Sequence, residues 1–441
     1  MTFAQSGQAG IGEKVPNAVA DGVPSESMTP PRELPVTPND VALATDRLLG
    51  ALSQTPTVRS STLSDITGAD VVVKCENLQF TGSFKERGAR NRLGLLTEAE
   101  RARGVIAVSA GNHALAVAHH ARQIGIACTV VMPATTPWAK AAPLEHFHAN
   151  VVLHGEMFDD AVARAAELEA ESGALMIPPF DDRAVIAGQG TLALEFLDAA
   201  PDLDVLVVPV GGGGLVSGVA VAAKDRRPDI EVIGVQSELF ATYVRGALLP
   251  TAGQGGTSIA EGIAVKHPGE LTRTIIDALV DDVVAVSEAR IEEAISLYLE
   301  IEKVVAEGAG AAGLAALLEY PERFRGRTVG LVLSGGNIDL HLLAQVIMRS
   351  LARTGRVTLL TLRLPDRPGA LAAVTAVVAA HGANIISVNH DRYRPELALR
   401  VAELELTVET RDAAHRDSLV HALTDAGFPP AIPTLPRGTV S

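Results

Sequence analysis

Lys85 stands in the run Gly82-Ser83-Phe84-Lys85-Glu86-Arg87-Gly88-Ala89, shortly after a strand-like stretch and at the opening of a helix-like one. An isolated lysine at such a junction is usually a solvated surface charge. This one follows Gln79-Phe80-Thr81-Gly82-Ser83, a loop whose glycine and hydroxyls suit a close ligand. A lysine amine attacks an aldehyde once burial or a nearby cation depresses its pKa. Covalent capture of a carbonyl compound is therefore the chemistry this residue suggests.

Three further motifs follow apolar strand-like runs. Ser109-Ala110-Gly111-Asn112-His113 opens a helix, where small side chains expose backbone N–H groups to a carboxylate or phosphate. Asn112 adds an amide donor. His113, in the helix's first turn, reads better as a structural group or hydrogen-bond donor than as an acid or base. Val210-Gly211-Gly212-Gly213-Gly214-Leu215 places four glycines in succession before a helix. Glycine is conformationally costly, and a plain turn rarely needs so many. A phosphate does, since it takes several N–H groups at once and gains from the helix dipole. The spacing matches neither a Walker loop nor a dinucleotide fingerprint. Leu333-Ser334-Gly335-Gly336-Asn337 is weak alone, but its serine hydroxyl could bond a ring nitrogen without adding charge.

The elements that must hold these loops are legible in outline. Strands are expected at Val71–Cys75, Val105–Val108, Ala127–Met132, Asn150–Leu153, Val205–Val208, Glu231–Val235 and Thr328–Leu333. Helices such as Ala114–Ile124, Met157–Glu171 and Ile291–Ile301 lie between them. That alternation predicts α/β architecture with parallel sheets, whose ligands sit at the carboxyl ends of the strands. Residues 1–36, rich in Gly, Pro, Ser and Thr, read as a disordered tail, and 37–350 as the main region. From 356 to 430 the pattern becomes a small α+β unit: strand Val357–Leu364, helix Pro368–Ala380, strands Asn384–Asp391 and Leu399–Thr407, helix Asp412–Ala426.

The 441 residues carry 47% hydrophobic and 20% charged side chains, an ordinary globular balance, and only 3% aromatics. A formal charge of −15 argues against a nucleic-acid surface. Cys75 and Cys128 lie in apolar runs and read as small buried hydrophobes. Val205–Ala223 contains no charged residue, but Pro209 and the glycines make it strand, loop and helix rather than a membrane span. No signal-peptide pattern opens the chain, so a cytoplasmic protein without membrane partners is expected.

Together the four motifs resemble the fold-type II (tryptophan synthase β-like) pyridoxal-phosphate (PLP) enzymes, and most closely their threonine dehydratase, or threonine ammonia-lyase, branch. The resemblance runs from about Thr37 to Arg349. Gly188-Gln189-Gly190-Thr191, Ile259-Ala260-Glu261-Gly262-Ile263-Ala264-Val265 and Glu307-Gly308-Ala309-Gly310 reinforce it. It implies that Lys85 binds the cofactor and serves as catalytic base, and that Phe84 packs beside the ring. It further implies that Asn112 contacts the ring hydroxyl, Gly211, Gly212, Gly213, Gly214 and Leu215 cradle the phosphate, and Ser334 meets the pyridine nitrogen. Ser109, Ala110, Gly111, Asn112 and His113 would hold the substrate carboxylate. The implied reaction converts L-threonine to 2-oxobutyrate and ammonia, towards isoleucine or in threonine catabolism. Alternatives are a β-eliminase acting on serine or 3-hydroxyaspartate, and a non-catalytic amino-acid sensor.

Departures from the family pattern sharpen the expectation. Ala110 stands where serine racemases carry a hydroxyl acid/base, which disfavours racemisation. Leu115 and Glu261 replace the commoner glutamine and aspartate. Gln236 replaces an acidic residue that binds a divalent cation in the racemase branch, so no required divalent metal is expected. Leu364-Pro365-Asp366-Arg367-Pro368-Gly369-Ala370-Leu371 and Gly382-Ala383-Asn384-Ile385 resemble an ACT domain, a module that binds amino acids at paired interfaces. Asp366 is expected to cap its helix, Pro368 to sit in the first turn, and Gly369 to let a ligand near the backbone. The resemblance implies an amino-acid effector, isoleucine or valine, near Gly369 and Asn384, and a homodimer or homotetramer.

Overall fold

Long runs of Val, Ile and Leu that do not alternate must be covered on both faces, and parallel strands between helices provide that cover. In this computed structural model, which describes residues 34–244 and 258–432, Val105–Val108 and Val205–Pro209 are buried at every position. Six strands form one sheet in the order Thr57–Ser60, Asp70–Cys75, Thr328–Leu333, Val205–Pro209, Glu231–Ser237, Asp282–Val286. All pair in parallel except Thr57–Ser60, which runs antiparallel to its neighbour. A second, fully parallel sheet has the order Asn150–Leu153, Cys128–Met132, Val105–Val108, Leu175–Met176.

The expected strands are all present. Thr57–Ser60, Leu175–Met176 and Asp282–Val286 are additional. The stretch Val205–Ala223 is indeed strand, loop and helix, and among the described residues no helix is long and apolar enough to cross a membrane. The helix expected over Ile291–Ile301 is α-helical over Glu288–Leu297 and then widens into a π-turn at Tyr298–Glu302. The tail expected at 1–36 lies outside the described residues except for its last three, of which Val36 is fully buried.

With few aromatics available, small residues let helices meet backbone to backbone. A Cβ on Gly188 would stand 2.6 Å from the Arg87 carbonyl, and one on Gly190 would stand 2.7 Å from that of Gly218. The helices Lys85–Gly94, Arg183–Ala199 and Gly214–Arg226 are thereby pressed together. The helix Arg183–Ala199 thus touches both the start of the lysine helix and the first turns of the glycine-loop helix. Beneath it, Arg87 is fully buried and its guanidinium donates to Glu76 (2.8 and 2.9 Å) and Glu195 (2.7 and 2.8 Å).

The C-terminal unit is an antiparallel sheet, ordered Val357–Pro365, Val401–Glu409, Asn384–Asp391, with helices Ala370–Ala380 and Ala413–Asp425. Here burial alternates: Leu360, Leu362 and Leu364 face the core, as a one-sided sheet requires. One expectation is corrected. The helix begins at Ala370, its N-cap is Gly369 at φ 87, and no side chain caps it. Asp366 instead pairs with Arg392 at 3.3 Å, and Pro368 lies ahead of the first turn. Gly369 reverses the chain, so neither residue is carried into helical register.

Candidate active site

Each motif emerges at the carboxyl end of a parallel strand, the place where open α/β sheets receive ligands. Lys85 opens its helix a short loop beyond Cys75, and its Nζ donates to the Pro179 carbonyl at 2.7 Å. The amine lies 5.2 Å from the centre of the Phe84 ring. Burial lowers its pKa to about 8, although the Glu307 carboxylate opposes that shift. Its loop is stitched to the serine loop: the Phe84 N–H donates to the Ser334 carbonyl at 3.0 Å, and Ser83 bridges to Gly335.

The glycine loop approaches through Phe180, the residue after the lysine's acceptor. A Cβ on Gly212 would overlap the Phe180 ring, and one on Gly214 would stand 2.9 Å from its Cβ. Gly213 takes φ 92, a left-handed conformation that favours glycine, and the helix Gly214–Arg226 starts directly after it. The Gly212 carbonyl is held by the hydroxyls of Thr272 (2.8 Å) and Tyr243 (3.3 Å). The first N–H groups of the helix, which have no intrahelical partner, are then left for an anion. Leu215 and Ser334 are both buried.

The third wall is Asn112. Its Nδ2 donates to Glu307 Oε1 at 2.7 Å, and its Oδ1 accepts from Asn337 Nδ2 at 2.7 Å. An amide nitrogen has two protons, so one remains for a ligand. Glu307 is held up at about 7 by burial, partly offset by the Asn112 bond. Sequence reasoning quoted Glu307 within a motif but gave it no role. It also gave none to Arg87, Glu76 and Glu195, whose pairing is visible only once the chain is folded.

In the Ser109–His113 loop, Ser109 Oγ accepts the Gly111 N–H at 3.1 Å, and Ala110 packs on the core of the smaller sheet. The His113 ring is buried and bonds the Ile177 carbonyl at 2.8 Å. Burial, with Lys85 nearby, drives its pKa down to about 3. His113 is thus a neutral donor to the backbone, which leaves its main-chain N–H as the group available to a ligand.

PLP presents an aldehyde, a phosphate and a ring with a hydroxyl and a nitrogen, and the donor set matches each of them. Lys85 offers a partly neutral amine, the glycine loop the unpaired N–H groups of a helix start, Asn112 a free N–H, and Ser334 an uncharged hydroxyl. Among the described residues, the hydroxyls of Ser83 and Thr81 beside Lys85 are buried without a hydrogen-bond partner. Such orphans are costly unless something polar meets them. Gly369 and Asn384 are not brought together. They flank the two ends of the helix Ala370–Ala380, whose 11 residues span about 16 Å.

Residues 48–335 match the family described as pyridoxal-phosphate dependent enzyme, and residues 358–427 match the ACT domain. The L-threonine ammonia-lyase of Thermotoga maritima is 44% identical over 397 residues, covering 89% of this chain and 98% of that one. Threonine deaminase isoform 2 from Solanum lycopersicum, in its processed form, superposes with TM-score 0.65 at 32% identity, over 70% of this chain and 93% of that one. Maize serine racemase superposes with TM-score 0.67 at 32% identity, over 72% and 98%. A family match over most of the chain and these relatives agree, and the chain is a member of the pyridoxal-phosphate dependent enzyme family, with an ACT domain over residues 358–427.

Proposed function

We propose that this PLP-dependent enzyme is an L-threonine ammonia-lyase, converting L-threonine to 2-oxobutyrate and ammonia. The observation that carries the reading is the convergence of a partly neutral lysine, a glycine loop at a helix start and an uncharged serine at the carboxyl ends of strands of one sheet. The near-complete alignment with an L-threonine ammonia-lyase supports the substrate.

In this reading Gly211–Gly214 and Leu215 hold the phosphate, Asn112 donates to the ring hydroxyl, Phe84 packs beside the ring and Ser334 meets its nitrogen. Bound PLP supplies a sink for the electrons released when the Cα–H bond breaks. Main-chain N–H groups of Ser109–His113 fix the substrate carboxylate, so the Cα proton faces Lys85. Lys85 Nζ removes that proton, and the β-hydroxyl takes up one proton in turn and departs as water. Hydrolysis of the remaining enamine releases ammonia and the keto acid. Ala110, with no transferable proton, leaves the opposite face unserved, which favours elimination over racemisation.

The same reading divides the chain into a catalytic region, 37–350, and a regulatory unit, 356–430. Because a helix separates Gly369 from Asn384, an isoleucine or valine site using both would draw one from each of two copies. That favours a homodimer or homotetramer. Assaying keto acid from threonine, serine and 3-hydroxyaspartate tests the assignment. Threonine should give 2-oxobutyrate as the preferred product; no 2-oxobutyrate, with pyruvate formed from serine, rejects it.

A further inference from the structure

Beside the first turn of the lysine helix, Glu86, His119 and His120 form a buried cluster whose ligand atoms lie within 4.8 Å of one another. Glu86 Oε2 and His120 Nε2 are 3.1 Å apart. His120 Nδ1 is 3.2 Å from the side-chain Oε1 of Gln123, and the Gln123 side-chain Nε2 is 3.0 Å from His119 Nε2. With Gln123 so oriented, the amide donates to His119 and the carbonyl accepts from His120 Nδ1. A neutral His120 then turns a bare nitrogen towards a carboxylate, and two lone pairs at this distance need a cation between them.

A proton would satisfy Glu86 and His120 alone, whereas a metal ion would use all three side chains of the cluster. We infer that Glu86, His119 and His120 form a binding site for a zinc-class divalent metal ion. Two imidazoles and a carboxylate are a ligand set that zinc takes. With bonds near 2.0–2.1 Å, neighbouring ligand atoms of a tetrahedral ion stand about 3.3 Å apart, close to the Glu86–His120 separation. Rotation of His119 away from the Gln123 amide frees its one ring lone pair for the ion and closes the remaining gap. The outer partners are in place: the Thr81 N–H donates to Glu86 Oε1, and Gln123 orients His120. Phe80 stacks on His119 at 4.4 Å and is 66% exposed, a ring that can swing aside for entry. The ion would hold Glu86, which adjoins Lys85 in the chain and fastens the loop before it.

This site uses none of the groups proposed for catalysis, so metal binding and threonine turnover can fail independently. The test is zinc titration of tag-free, full-length, PLP-loaded enzyme after chelator treatment, with metal content measured after gel filtration. A single tightly held zinc ion per chain is expected. His119→Ala and His120→Asn should each weaken binding at least roughly tenfold, and so should Gln123→Ala, which keeps the ligands and sits at the surface. Cobalt substituted for zinc should show the strong visible bands of a tetrahedral centre, absent from His120→Asn. Melting curves and cofactor absorbance identify any variant that misfolds. Failure to retain zinc, leaving a proton alone at Glu86, overturns the proposal. So does undiminished binding by a folded His119→Ala/His120→Asn double variant.

Discussion

The Asn112 amide donates a 2.7 Å hydrogen bond to the Glu307 carboxylate, which stands 195 residues away in the sequence. The bond joins the helix of the smaller sheet to the loop beside Ser334. Glu307 is also the charge that opposes the lowering of the Lys85 pKa. Replacing it by glutamine keeps the shape and removes the charge. An ammonium that loses a neighbouring carboxylate is less favoured, so in Glu307→Gln the Lys85 amine should titrate below about 8. The pH dependence of PLP uptake by cofactor-free enzyme reports this midpoint. An unchanged or raised midpoint would show that Glu307 does not act on Lys85.

The wild-type pH response has a definite sign. With its pKa lowered to about 8, the Lys85 amine becomes neutral as pH rises through that value. At pH 7 about a tenth would be neutral, against roughly one in three thousand for an ordinary lysine. PLP capture should therefore quicken from pH 7 to 8.5 and level off above that. Lys85→Ala should lose both the visible absorbance of lysine-bound cofactor and threonine turnover. Normal deamination by that variant would remove the basis of the whole assignment.

Gly188 tests the packing that positions the site. A methyl there meets the Arg87 carbonyl at 2.6 Å, a contact between main chains that no rotamer relieves. Gly188→Ala should destabilise the protein by about 1–3 kcal/mol, as overpacked cores do, and loosen PLP binding because the lysine helix must shift. Denaturant melts with and without cofactor would measure both. Wild-type stability in this variant would mean that the three helices have slack.

Much of this was legible because the strands are fully buried: continuous β-branched runs such as Val105–Val108 and Thr328–Leu333 announce themselves. Thr57–Ser60 did not, since only Ser60 of its four residues is buried and the run carries no apolar pattern. Leu175–Met176 is too short to show a period. The glycines at 188 and 190 were legible as a motif but not as a helix crossing, because their partners Arg87 and Gly218 are distant in sequence. Glu307 illustrates the limit for chemistry. Its carboxyl is held near neutrality by burial, and burial belongs to the fold rather than to any local run of residues.

Ala110 bears on the outcome of the reaction. Racemisation needs a proton returned from the face opposite Lys85, and a methyl group cannot return one. The native enzyme should form keto acid without D-amino acid, and Ala110→Ser should introduce a trace of D-serine from L-serine. Chiral chromatography of residual serine decides the point. Substantial D-serine from the native enzyme would refute the argument.

The C-terminal unit makes the last prediction. The helix Leu340–Arg353 belongs with the catalytic region: Val346 is buried in its core, and Arg349 and Arg353 pair with Glu292 (3.0 Å) and Glu293 (3.8 Å). Beyond it the chain turns at Gly355, and Arg356 reaches back to Glu300 at 2.6 Å. A cut after Arg353 therefore spares every residue proposed to touch PLP, of which Ser334 is the last. An effector acts only by favouring one arrangement of the enzyme over another, and such coupling typically amounts to about 1–3 kcal/mol. Isoleucine or valine should then shift the apparent threonine affinity of the full-length enzyme by roughly five- to a hundred-fold. The shortened enzyme should keep threonine turnover and lose that shift. Sizing chromatography alongside the kinetics separates loss of the effector site from dissociation of the oligomer. A truncated enzyme that keeps the full effector response would place the regulatory site in the catalytic region, and the ACT domain would then serve assembly alone.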